Sequence, residues 1–297
     1  MDFSAVGKKI KELRKQIGLS QEELAEGICT QAQISKIEKG VVYPYATTLY
    51  MISRRLGVDV NYFFDIGMTP RLDYVQEVAH QLELTRRTMN YQEMKDIVKT
   101  EENNPLFTQN KQNYQLLLWH KGIYEYMMNK NMNKAIQHLE EAISLSDITN
   151  KVYSEREIEY LLSMGVIYFE EKLYEKALCT YKLALHHMNH LPFLNDKKIK
   201  TRLFYNSARV STRLQDYEAS ILYCTKAIKW CLEEDHMYIL GELHYHLGYN
   251  YELQNNYKQA RKYMERARLI FDLQKQQRFV TFIEDKFKVW EALVETK

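Results

Sequence analysis

Between Thr30 and Gly40 the chain reads TQAQISKIEKG, and its polar side chains carry the chemistry of base-edge recognition. A glutamine such as Gln31 or Gln33 offers the donor–acceptor pair that matches adenine, a lysine such as Lys36 or Lys39 can donate to guanine, and Ala32 can meet a thymine methyl. The Ser35 hydroxyl suits a phosphate oxygen. The same string also describes an ordinary amphipathic helix with a solvated face. The elements that hold it decide between the two.

Ile34 and Ile37 set the buried side of a helix starting after Thr30, where Thr30 and Gln33 have the spacing of a capping box. On that wheel Ala32, Ser35, Lys36 and Lys39 face outward, with Gln31 at the helix start. Ser20-Gln21-Glu22-Glu23 has the same capping-box spacing, with Leu19 and Leu24 placed as a hydrophobic staple. The two starts leave room for one helix of about seven residues and a tight turn, which is helix-turn-helix geometry. Upstream, Val6, Ile10, Leu13 and Ile17 mark one face of a helix closed by Gly18. Helices near Thr47–Leu56 and Asp59–Phe64 complete a five-helix bundle over residues 1–65. The segment Asp65–Pro70 follows the last apolar cluster and is the expected boundary, with 66–72 as linker.

The composition fits an all-α chain. Of 297 residues, 45% are hydrophobic and 27% charged, with only 10 Gly and 4 Pro. Pro44, Pro70, Pro105 and Pro192 fall where helical periodicity breaks. No apolar run approaches the ~18 residues of a membrane span, and the N-terminus lacks a signal-peptide pattern. A cytoplasmic, non-membrane protein is therefore expected. Cys29, Cys179, Cys224 and Cys231 lack metal-type spacing and read as small buried thiols. The net charge is +2, and all of that excess lies in the first 64 residues, a weak bias toward an anionic partner.

From residue 71 onward a period of about forty residues emerges. Four segments align on a small residue followed seven later by alanine: Ala135/Ala142, Ala177/Ala184, Ser220/Ala227 and Ala260/Ala267. Leu139, Tyr181, Cys224 and Met264 lie between them, and Ile123, Gly165, Ala208 and Gly248 precede them by a fixed interval. Small residues let two helices approach while large ones fill the gap, so each copy is a helix hairpin. The pattern resembles the tetratricopeptide repeat, with Trp119 at the large position that opens the first good copy. A degenerate copy is expected over Asp73–Glu102 and a closing helix over Gln277–Val294. The whole is expected to be a right-handed superhelix of about five hairpins with a C-terminal capping helix.

In such repeats the first helix of each pair lines the inner face. That places Arg86, Arg87, His120, Lys121, Tyr124, Arg202, Tyr205, Asn206, Arg209, Arg213, Tyr245, His246 and Tyr249 there. Asn suits a peptide backbone, Arg and Lys a carboxylate, and Tyr apolar side chains. The His186/His187/His190 group lacks a carboxylate spaced to complete a metal site. There is no Gly-rich phosphate loop and no nucleophile elbow, so neither enzyme activity, metal nor cofactor is expected.

LSQEELAEGICTQAQISKIEKGVVYP, with the later Leu49, Ile52 and Leu56, resembles the phage-repressor (Cro/C1, XRE-like) helix-turn-helix class. The resemblance implies that Ile34 and Ile37 anchor the recognition helix, that Glu38 pairs with Arg14, and that Gln21 contacts a phosphate. Tyr45 departs from the Ser or Thr usual after the proline, leaving the start of the fourth helix open. An XRE-like module joined to tetratricopeptide-like repeats resembles the PlcR/NprR/PrgX-type peptide-pheromone regulators of Gram-positive bacteria, and within them the PlcR branch. What this implies is a homodimeric quorum-sensing transcription regulator, leaning towards activation, on near-palindromic double-stranded DNA. The domain over 73–297 would then bind a short signalling peptide and dimerise. The alternatives at this point are an adaptor whose repeats bind a folded partner, and a DNA-binding regulator with no peptide ligand.

Overall fold

The computed structural model describes residues 3–69, 71–146 and 153–295; Pro70 lies outside them. Its regular structure is entirely α-helical, with no strand among the described residues. The chain divides into two compact units, Met1–Met128 and Asn129–Lys297.

The first unit opens with α1 (Phe3–Ile17), α2 (Gln21–Ala25), α3 (Gln31–Glu38), α4 (Ala46–Arg55) and α5 (Val60–Met68). Gly18, at φ +86°, ends α1, and the Leu19 N–H returns to the Arg14 carbonyl at 3.0 Å. Ser20 caps α2 with both halves of the capping box present. At α3 only one half forms: Thr30 accepts from the Gln33 N–H, and the Gln33 side chain makes no return bond among the described residues. Val6, Ile10, Leu24, Ala25, Ile34, Ile37, Leu49, Ile52, Leu56 and Phe63 form the core. Ile17, expected on the buried face of α1, is instead 51% exposed, because the helix has already passed the end of this core.

One close approach organises the bundle. A Cβ built on Gly7 would stand 2.1 Å from the Ile37 carbonyl oxygen, so α1 can rest on the last turn of α3 only without a side chain there. Helix α4 starts at Ala46 after Tyr45, whose side chain makes no capping bond. Helix α5 continues to Met68, into the first three residues of the interval expected as linker. Ile66 packs against the core, and Gly67 is buried against Val6, so the helix gains by running on.

The same unit continues with α6 (Leu72–Thr88), α7 (Tyr91–Glu101), α8 (Pro105–Thr108) and α9 (Lys111–Asn129). Val75, Val78, Leu82, Met94, Val98, Phe107, Leu117 and Tyr124 make a second core there. Pro105 stands at the start of α8 behind the Asn104 cap, where a missing N–H costs nothing.

The second unit comprises α10 (Met132–Ser144), α11 (Glu155–Glu170), α12 (Tyr174–Met188), α13 (Lys198–Arg213), α14 (Tyr217–Glu233), α15 (Leu240–Leu253), α16 (Tyr257–Leu273) and α17 (Gln277–Glu295). Helices α11/α12, α13/α14 and α15/α16 are packed pairs, and α17 closes against α16. Every small residue of the repeat alignment from Ala135 to Ala267 is fully buried. A Cβ on Gly165 would stand 2.2 Å from the Tyr181 ring, so the small residue on α11 makes room for the large one on α12.

The turn is repeated as well. Lys130, Lys172, Gln215 and Asn255, and Met89 in the first unit, all adopt left-handed φ between 52° and 62°, two residues before the next helix begins. Their spacings of 41, 42, 43 and 40 residues restate the period read from the sequence. Asn90, Asn131, Asp216 and Asn256 then cap those helices, whereas Leu173 gives α12 no side-chain cap. Among the cysteines, Cys224 and Cys231 are buried but Cys179 is exposed, since it lies on the outward face of α12.

Candidate functional site

Helix α3 is held from behind by a chain of side chains that ends at its outer surface. Arg14 of α1 grips Glu38 with both prongs, Nε to Oε1 at 2.5 Å and Nη2 to Oε2 at 3.1 Å, and donates from Nη1 to the Leu19 carbonyl at 2.6 Å. The pair is nearly dry, at 9% and 1% side-chain exposure. Burial, the largest influence, pushes the Glu38 carboxyl up, but the bonds from Arg14 and Gln21 outweigh it and hold the group below its usual value. Gln21 Nε2 donates to Glu38 Oε2 at 2.7 Å, and Gln31 Nε2 donates to Gln21 Oε1 at 2.7 Å.

The buried carboxylate sets the sense of this relay. Glu38 can only accept, so Gln21 must turn its NH₂ inward and its oxygen outward, and Gln31 must donate in turn. Each amide keeps one N–H unspent, and Gln31 keeps its oxygen as an acceptor. Gln31, Ala32, Lys36 and Lys39 are exposed, while Gln33 and Ser35 are half-buried. The expected outward face of α3 is thus outward, and its glutamine is oriented. Arg55 also braces α2, donating to the Glu23 and Leu24 carbonyls at 3.0 and 3.2 Å, a support no motif pointed to.

The residues expected on the inner face of the repeats take several different positions. In the first unit the Arg86 guanidinium lies 4.8 Å above the Trp119 ring. Arg87 is exposed, and Lys121 pairs with Glu102 at 3.0 Å. Tyr124, expected to line a groove, is instead buried in the α6–α9 core at 3% exposure. His120 is likewise internal: its Nδ1 meets the Leu116 carbonyl at 2.8 Å, and desolvation lowers its pKa to about 4.

In the second unit Arg202 is neutralised by Glu159 and, at 3.1 Å, by Asp196. Tyr205, Asn206 and Arg209 are half-buried along α13. The Arg209 guanidinium lies 4.4 Å above Phe169 and 6.0 Å from Tyr205. On α15 the Tyr245 and Tyr249 rings are parallel at 6.4 Å, and Phe282 of α17 lies 6.1 Å from Tyr245. His246, expected as a ligand contact, faces inward instead. Its Nε2 shares a bond of 2.9 Å with the Thr212 hydroxyl, in a buried cluster with Ser220 and Asn250. Desolvation lowers the His246 pKa to about 4, so it is a neutral structural ring at ordinary pH. Phe169, Phe282 and Glu242 belong to this face without having been read from the repeat positions. Among the described residues no group of three metal-ligating side chains converges. No described helix is long and apolar enough to cross a membrane.

Comparison with known proteins places both parts. Residues 10–63 match the helix-turn-helix family model, and residues 79–289 match the model of the RNPP family C-terminal domain. A comparison with curated sequences gave no significant match. Among solved structures, Bacillus thuringiensis PlcR in complex with the peptide PapR7 and DNA aligns at TM-score 0.82 and 21% identity, over 94% of this chain and 99% of that one. The Streptococcus dysgalactiae SHP pheromone receptor Rgg2 aligns at TM-score 0.63 and 14% identity, over 95% and 98%. ComR from S. thermophilus, in complex with DNA and its signalling peptide ComS, aligns at TM-score 0.58 and 16% identity, over 95% and 98%. The helical-repeat fold is shared across all three, and with its C-terminal domain matched over most of its length the chain belongs to the RNPP family.

Proposed function

We propose that the chain is a sequence-specific transcription regulator of quorum sensing. In this reading residues 1–65 bind near-palindromic double-stranded DNA in a homodimer, 66–72 connect, and 73–297 bind a short signalling peptide and dimerise. The observation that carries it is the exposed, relay-oriented polar end of α3 on the same chain as an RNPP C-terminal domain. The PlcR and ComR structures that share the fold hold peptide and DNA together, which supports the pairing of the two partners.

Gln31, Ala32 and Lys36, with Gln33, face the base edges in this reading, and Gln21, Ser35 and Lys39 face phosphates. A dimer sets two such helices about 34 Å apart, one helical turn of DNA. Peptide controls the switch only if it binds the DNA-competent and incompetent states with different affinity. Footprinting on the region upstream of the protein's own gene, with and without short peptides from a neighbouring small open reading frame, tests all of this. The expected result is a protected near-palindrome whose affinity changes with peptide. No protected palindrome at moderate salt would favour a protein–protein adaptor instead, and a palindrome indifferent to every such peptide would leave a regulator without that ligand.

A further inference from the structure

The face shared by α13, α15 and α17 is rich in charge, and most of that charge is paired within the fold. Arg202 is held by Glu159 and Asp196, and Lys286 by both oxygens of Glu252 at 2.7 and 2.8 Å. Among those that are not, two carry opposite sign. Arg209 rests on the Phe169 and Tyr205 rings with no carboxylate partner among the described residues. Glu242 has its Oε2 shut away from solvent with no hydrogen-bond donor among the described residues.

Glu242 precedes Tyr245 by three residues and Tyr249 by seven, so the three occupy one face of α15. Burial pushes the Tyr205 phenol up, while Arg209 lowers it and Glu242 raises it, which places this ring within electrostatic reach of both charges. A carboxylate oxygen removed from water and given no donor costs the fold free energy. Burial also pushes the Glu242 carboxyl above its usual range, by more than the bond from its own backbone N–H lowers it. Tyr205 lies within reach of its charge, and Tyr245 and Tyr249 follow on the same face of α15; aromatic faces of this kind favour an ammonium or guanidinium over a neutral group.

We propose that Glu242 is the acceptor for a cationic nitrogen of the bound peptide, its amino terminus or a Lys/Arg side chain, seated among Tyr205, Tyr245 and Tyr249. Arg209 then stands one helix away to meet negative charge, so the face accepts a peptide in one orientation. This rests on the reading of the repeats as a peptide receptor.

The test uses the full chain and three heptapeptide pools, all with free C-terminal carboxylates, in affinity-selection mass spectrometry. The first pool has free amino termini and no Lys, Arg or His; the second is N-acetylated and carries one Lys or Arg; the third is N-acetylated and carries no cation. Glu242 as anchor predicts that the first or second pool is retained at least about tenfold over the third, and that Glu242→Gln removes this excess. Whichever pool dominates identifies the source of the nitrogen. The third pool binding as well as the others, or the excess surviving Glu242→Gln, overturns the Glu242 assignment while leaving a peptide receptor in place. Retention of no pool by the unaltered chain overturns both. Glu242→Gln is also expected to melt at the same temperature as the parent or higher without peptide; a clear fall would make Glu242 a structural residue and overturn the proposal.

Discussion

Replacing Glu38 by glutamine keeps the shape of the side chain and removes the charge around which α1, α2 and α3 are joined. Arg14 would then be a guanidinium at 9% exposure with no counter-charge, and Gln21 would lose its acceptor. Breaking one partner of a dry, two-pronged ion pair costs roughly 3–5 kcal/mol, several times the value of a surface pair. At about 1.4 kcal/mol per tenfold, that is roughly a 10²- to 4 × 10³-fold rise in the opening of this bundle. Hydrogen exchange read by mass spectrometry on the whole chain separates the parts: peptides covering α1–α3 should lose protection by that factor, and those covering α13–α16 should not change. The sign of the pH dependence follows from the same pair. The folded Glu38 carboxyl lies below its ordinary value of 4.5, so its contribution is fully present above that value and is lost as pH falls through the folded one. Acidification should therefore erode protection of α1–α3 in the parent and much less in Glu38→Gln. A change below tenfold at neutral pH would show that the pair behaves as a solvated one and would refute the relay as the support of α3.

Three further outcomes are expected. Gly7→Ala sets a methyl 2.1 Å from a backbone oxygen that cannot step aside, and it should cost at least 1–3 kcal/mol in the first unit, seen as early loss of α1–α3 protection on warming. Lys36→Ala and Gln31→Ala should each cost roughly 1–3 kcal/mol on the selected DNA site and relax its specificity, as read by mobility shift; an equal loss on random DNA would reassign them to the phosphate backbone. His120, His244 and His246 are each lowered to about 4, chiefly by burial. Since unfolding lets each take up a proton, stability should decline as pH drops from about 6.5 towards 4, and His246→Gln should flatten that decline in the second unit. A thermal-melt series across that range with no difference between parent and variant would place His246 outside the buried cluster.

The recognition helix could be read from the sequence because its evidence is local. Ser20, Glu23, Thr30, Ile34 and Ile37 lie within one stretch, and spacing alone decides which side chains turn outward. The hairpins were legible for the same reason: close packing between paired helices demands small residues at fixed intervals, and Ala177, Ala184 and Gly165 supply them. Their turns were less legible. The left-handed position is filled by Met89, Lys130, Lys172, Gln215 and Asn255 rather than glycine, so nothing in composition marks it, although an Asn or Asp cap follows four of the five.

The inner face was the hardest part to read, because a repeat position says where a side chain starts and not what it meets. Tyr124 and His246 occupy positions indistinguishable in sequence from those of Tyr205 and Tyr249, yet one fills a core and the other satisfies a buried hydroxyl. What separates them is partners from other helices. The Thr212 hydroxyl of α13 gathers Ser220 from α14 and His246 and Asn250 from α15, and a buried polar group is drawn to such a cluster because standing alone there is costly. The same reasoning reverses at Glu242: its Oε2 finds no donor among the described residues, and the Tyr205 ring lies within reach of its charge. A position that the fold leaves unsatisfied is where a ligand gains most, since the cost of desolvating the acceptor has already been met before binding. For this face the informative residues are therefore those whose partners are missing, and they become visible only once the neighbouring repeats are in place.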